Sequence, residues 1–115
     1  MSSGFSPKPL EGLAGGYELP LRGRVYADRA PELRQALDAV GPRALLVDAS
    51  ELEQIDSSGL GVFIDLLKRV RDQGGRIAWF GLNPDVVRVF QITRLDSVMP
   101  VCGDRAQALA QVQHG

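Results

Sequence analysis

Apolar residues in this chain fall into short blocks that switch between two periods. Tyr17-Glu18-Leu19-Pro20-Leu21-Arg22-Gly23-Arg24-Val25 alternates apolar and polar positions, the signature of a half-buried strand. Pro20, lacking an N–H, predicts an open edge or a bulge there. Ala44-Leu45-Leu46-Val47 is an unbroken apolar run closed by Asp48, as expected of a strand covered on both faces. Ile77-Ala78-Trp79-Phe80 reads the same way, and a shorter strand is predicted around Val98–Val101. Between these runs the spacing changes to three and four. Leu33, Ala36, Leu37 and Val40 form one stripe, started by Asp28 as a cap with Pro31 in the first turn and stopped by Gly41-Pro42. A longer helix is predicted from about Ser58 to Gln73, with Leu60, Phe63, Ile64, Leu67 and Val70 facing inward. Val62 and Leu66 lie off that stripe, against a neighbouring helix or exposed as a patch for a partner. Asn83-Pro84 starts a third helix that buries Val86, Val87 and Phe90; Asp104 caps a fourth with Leu109 and Val112 inward.

Strands that alternate with helices predict an α/β fold with a mostly parallel sheet of four to five strands and about four helices packed on it. Residues 1–15 stand apart. Rich in Gly, Pro and Ser, they read as a mobile leader with at most a poor strand near Phe5–Leu10, and the domain is placed at 16–115.

Composition narrows the function. At 115 residues there is room for one core, and 44% hydrophobic with 23% charged residues is ordinary for a folded domain. Thirteen basic against fourteen acidic residues give no clustered positive excess for a nucleic-acid binder. No apolar run approaches the roughly 20 residues of a bilayer span, and the first residues do not read as a secretory signal; the cytosol is the expected compartment. A single Cys and a single His, His114, cannot supply a His-based triad or a multi-His or Cys-rich metal site. No cofactor and no metal are expected. Trp79 and Cys102 are read as packing residues.

One segment stands out between the buried strand and the broad helix: Asp56-Ser57-Ser58-Gly59-Leu60-Gly61. Chemistry in α/β sheets collects at the C-terminal ends of strands. Ser57 falls at or beside a helix N-cap, where Asp and Ser satisfy unpaired N–H groups and Gly allows close packing. The same position would also present a hydroxyl to a kinase, and a phosphate would add about −1.5 to −2 charges near Asp48, Glu51, Glu53 and Asp56. Hydrolase and phosphate-loop readings fail. Ile55 occupies the first Gly position of a nucleophile elbow, and Gly61 is followed by Val62-Phe63 rather than Lys-Ser or Lys-Thr.

That motif, the preceding apolar strand, the helix running to Gln73-Gly74-Gly75, and Asn83-Pro84-Asp85-Val86-Val87-Arg88-Val89-Phe90 with Ile92-Thr93-Arg94-Leu95 resemble the bacterial anti-sigma-factor antagonists of the STAS family. The resemblance covers roughly residues 16–112. It implies the STAS fold and a protein that is not an enzyme but binds an anti-sigma factor, freeing a sigma factor for transcription. It further implies that the anti-sigma factor is often a serine kinase, that Ser57 is its target, and that phosphorylation breaks the complex until a phosphatase restores it. Asp56, Ser57, Ser58, Gly59, Leu60, Gly61 and Val62 are the implied contact segment. The chain departs from the family pattern at Gly23-Arg24-Val25-Tyr26, where Arg24 stands for the usual Glu and Tyr26 for an Asp used in partner recognition; Asp28 is the candidate substitute. The departure motivates a second reading, a STAS subunit of another assembly such as a lipid-transport ATPase. Arg94 stands where Gly is common, at a turn in which positive φ disfavours Arg.

Overall fold

A computed structural model describes residues 4–113; His114 lies outside them. Ten elements follow one another: β1 (Lys8–Pro9), β2 (Gly16–Val25), α1 (Ala30–Val40), β3 (Ala44–Ile55), α2 (Ser57–Asp72), β4 (Ile77–Phe80), α3 (Pro84–Ile92), a 3₁₀ turn (Leu95–Ser97), β5 (Val101–Cys102) and α4 (Arg105–Gln113). The five strands form one sheet in sequential order, antiparallel between β1 and β2 and parallel elsewhere.

The period-two logic of strands divides the core in two. Leu45, Val47, Ile77 and Trp79 point to one face, where they meet Leu33 and Leu37 of α1, Phe63 and Val70 of α2, and Val86 and Phe90 of α3. Leu46, Ala78 and Phe80 point to the other, against Ala108 and Val112 of α4. Complete burial of a Leu, Val or Phe side chain contributes about 1.5–3 kcal/mol, so the unbroken run at 44–47 is the centre of the molecule. Trp79 packs edge-on between Phe63 and Phe90, with ring centroids 4.7 and 4.9 Å away. Among the described residues no helix is long and apolar enough to cross a membrane.

Several expectations change. Asp28 does not cap α1: the N-cap residue is Arg29, and no side chain bonds the cap. The short strand allowed near Phe5–Leu10 is β1, where Lys8 and Pro9 pair with Glu18 and Tyr17, and Phe5 before it is buried. β3 does not end at Asp48. It runs to Ile55, pairing with β2 throughout but with β4 only as far as Asp48. Irregular register after Pro20 and after Gly23 lets the two strands twist apart from the rest of the sheet. On α2 the buried face is rotated from the expected stripe. Val62 and Leu66 are buried, whereas Ile64 is exposed, because α2 packs on α1 as well as on the sheet. Val40 and Val87 are only half-buried, and the strand expected from Val98 starts at Val101 after the 3₁₀ turn. Arg94 does take the left-handed conformation, φ 60° and ψ 22°.

Candidate functional site

The long β2–β3 pair delivers its C-terminal ends to the start of α2. Asp56 is the N-cap residue of that helix, extended at φ −101° and ψ −176°. Its carboxylate does two jobs. Oδ1 accepts from the Gly59 N–H at 3.0 Å, closing the first turn, and Oδ2 accepts from the Ala27 N–H at 3.2 Å, holding the loop after β2. The Asp56 N–H donates to the Val25 carbonyl at 3.2 Å, tying strand end to strand end.

Gly59 is fixed by contact rather than by dihedral freedom. A Cβ there would lie 2.8 Å from the Val25 carbonyl oxygen and 2.8 Å from Cγ1 of Ile55, so only Gly lets α2 start this close to β2. At Gly61 a Cβ would meet nothing within 4 Å, and the residue is partly exposed.

This geometry sorts the expected contact residues. Ser57 and Ser58, the first two residues of α2, are exposed; Asp56 and Gly61 are half-buried. Gly59, Leu60 and Val62 are buried, Leu60 and Val62 in the main core, so their side chains are not available to a docking protein. Leu60 is buried as its place on the inward stripe requires, and Val62 because the buried face of α2 is rotated. The Ser57 hydroxyl makes no hydrogen bond among the described residues. Asp28 is exposed in the loop that Asp56 holds, one residue from the bonded Ala27 amide.

Sequence reasoning missed the neighbours. The Tyr26 hydroxyl donates to Oε1 of Gln54 across the strand ends. Beside that pair lies an open cavity of about 180 Å³ lined by Tyr26, Gln54, Ile55, Asp85, Val86 and Val89. Asn83 caps α3 through its Oδ1, which accepts from Val86 N–H at 2.9 Å, while its Nδ2 donates to the Leu52 and Glu53 carbonyls, 3.1 Å each. The one readable signal is Asn83-Pro84 as a helix start; the second use of the same side chain, on β3, carries no sequence mark. Exposed pairs Arg22–Glu51 (3.1 Å) and Arg24–Glu53 (3.9 Å) line the polar face of the strand extension, each contributing about 0–1 kcal/mol.

A five-stranded, mostly parallel sheet whose central strand ends in an Asp-capped Ser-Ser-Gly helix start defines a small α/β regulatory module. A family profile described as "Mlab, STAS domain" matches residues 15–101, and the chain belongs to the STAS-domain family of bacterial anti-sigma-factor antagonists. It is 32% identical over 82 residues to the anti-sigma-B factor antagonist of Listeria monocytogenes, covering 69% of this chain and 72% of that protein. The anti-sigma-B factor antagonist of Bacillus subtilis is 29% identical over 86 residues, covering 73% and 79%. Among solved structures, an anti-sigma factor antagonist from Mycobacterium paratuberculosis superposes with a TM-score of 0.77 at 25% identity over 98% of this chain and 97% of that one.

Proposed function

We propose that this chain is an anti-sigma-factor antagonist that docks an anti-sigma factor on the surface around Ser57 and loses that partner when Ser57 is phosphorylated. The observation that carries the reading is a solvent-facing hydroxyl on the first residue of α2, beside an N-cap carboxylate whose two oxygens are already committed to backbone donors. A phosphate on Ser57 would add about −1.5 to −2 charges there. The Gly59 and Ala27 amides, occupied by Asp56, are not free to receive it. Within the free protein the new charge stays in water at little cost. Beneath a docked partner it would be desolvated, at several kcal/mol for an ion without a matching cation. The switch therefore acts on the complex. In this reading the chain is a phosphate acceptor, the chemistry belongs to a serine-kinase partner, and a phosphatase resets it.

Mixing the protein with a kinase-type anti-sigma factor, Mg²⁺ and ATP should add one phosphate, mapped to Ser57 and absent from Ser57→Ala, and should dissociate the complex. Intact mass unchanged, together with no complex between Ser57→Ala and any anti-sigma factor, would sink the proposal. Tyr26, bonded to Gln54 and departing there from the Asp that the family resemblance implies, supports the second reading as a subunit of another assembly. Capture of a transport ATPase in place of a transcription regulator would favour that reading.

A further inference from the structure

Arg29 sits in a cradle that nothing in its sequence neighbourhood announces. Its Nη1 donates to the carbonyls of Arg22 at 2.9 Å and Arg24 at 2.8 Å, the two residues flanking Gly23 in the irregular part of β2. Its guanidinium carbon lies 4.6 Å from the centre of the buried Phe5 ring, a cation–π contact. Two glycines of positive φ, Gly4 at 79° and Gly23 at 66°, lie against it, where a Cβ would be in ordinary contact, 3.5 Å from Nη2 and 4.0 Å from Nη1 respectively. Arg29 is also the N-cap residue of α1, and its backbone N–H closes the 26–29 turn on the Tyr26 carbonyl at 2.9 Å. The Ala27 N–H inside that turn is the donor held by Asp56.

We infer that Arg29 is a positioning residue for the Ser57 surface, and that the N-terminal segment, through Phe5, is the strap that keeps it in place. The inference rests on the reading of Ser57 as the docking and phosphorylation site. Its physical content is a chain of contacts: the Phe5 ring fixes the guanidinium, the guanidinium fixes both the β2 irregularity and the 26–29 turn, and the turn presents Ala27 N–H to Asp56. Nη1 gives both carbonyls a hydrogen while the rest of the planar guanidinium lies against the ring, whereas a lysine ammonium is a compact point charge on a flexible stem with no plane to set against Phe5. Release of the strap would leave the fold standing but let the turn carrying Tyr26 and Asp28 move relative to the start of α2.

The test compares Arg29→Ala, Arg29→Lys and Phe5→Ala with the wild-type full chain, using Leu109→Ala on the opposite face of the sheet as a control for general destabilisation. Amide hydrogen exchange in the free protein should rise about tenfold at Ala27 and Gly59, relative to Leu46, in Arg29→Ala and Phe5→Ala. Arg29→Lys should fall between, and Leu109→Ala should leave that ratio unchanged. With a kinase-type anti-sigma factor, KM for the chain as phosphate acceptor should rise about fivefold in Arg29→Ala while kcat stays within about twofold. A wild-type exchange ratio in Arg29→Ala, or equal change in the Leu109→Ala control, overturns the inference. If wild type is never phosphorylated or bound, the functional reading falls, and the exchange ratio still decides the positioning claim.

Discussion

Gly59 and Gly61 show how differently one residue type is used within a single helical turn. Gly59 is held between the Val25 carbonyl and Ile55, with 2.8 Å to each for an added Cβ. Gly59→Ala should therefore push α2 off β2 and lower stability by about 1–3 kcal/mol, measured by urea unfolding. Gly61 meets nothing within 4 Å and lies inside a helix, where Ala is favoured over Gly by roughly 0.5–1 kcal/mol. Gly61→Ala should raise the urea midpoint, a result of opposite sign from its neighbour's. The Asp56-Ser57-Ser58-Gly59-Leu60-Gly61 segment makes both glycines visible as packing candidates; which of them touches backbone is decided by how closely β2 approaches the helix. Arg94 is a third case. Its place after Thr93, where Gly is common, implies a left-handed backbone, and the turn keeps it there with Ser97 Oγ donating to the Arg94 carbonyl at 2.7 Å.

At the scale of elements, β3 is the part that positions the site. Its first half is buried on both faces and braced by β2 and β4; its second half, from Ala49 to Ile55, has only β2 as a ladder partner. Asn83 supplies the missing restraint by donating to Leu52 and Glu53 from the start of α3. Asn83→Ala removes a helix cap and two bonds to strand carbonyls, and should cost about 2 kcal/mol, read as a lower urea midpoint. The apolar run at 44–47 is legible because continuous Val and Leu mark a doubly covered strand. The extension is not, since Ser50-Glu51 and Glu53-Gln54 face solvent and break the pattern. Likewise the apolar positions of α2 fit two overlapping stripes, and only packing on α1 chooses the one that buries Val62 and exposes Ile64.

For the whole molecule, the site lies at the C-terminal end of the central strand, on the rim of the sheet rather than in its core. A charge placed on Ser57 enters solvent, so the fold should not register it. Ser57→Asp is expected to keep the wild-type urea midpoint within about 0.5 kcal/mol of stability, as exposed substitutions do, while weakening anti-sigma-factor binding at least tenfold in calorimetry. A large loss of stability in this variant would mean that the hydroxyl is structural and that the switch works inside the molecule.

Periodicity and turn chemistry, being local, determined the α/β class, the order of strands and helices, the cap at Asn83, and the placement of Ser57 at a helix start. Those features depend on residues within a few positions of one another. Tertiary structure alone decided what required distant segments to meet: Phe5 drawn under Arg29, Ala27 and Gly59 sharing one carboxylate, and Tyr26 closing on Gln54. A single sequence carries no period for such contacts, because each joins residues whose separation along the chain is set by the path of the sheet.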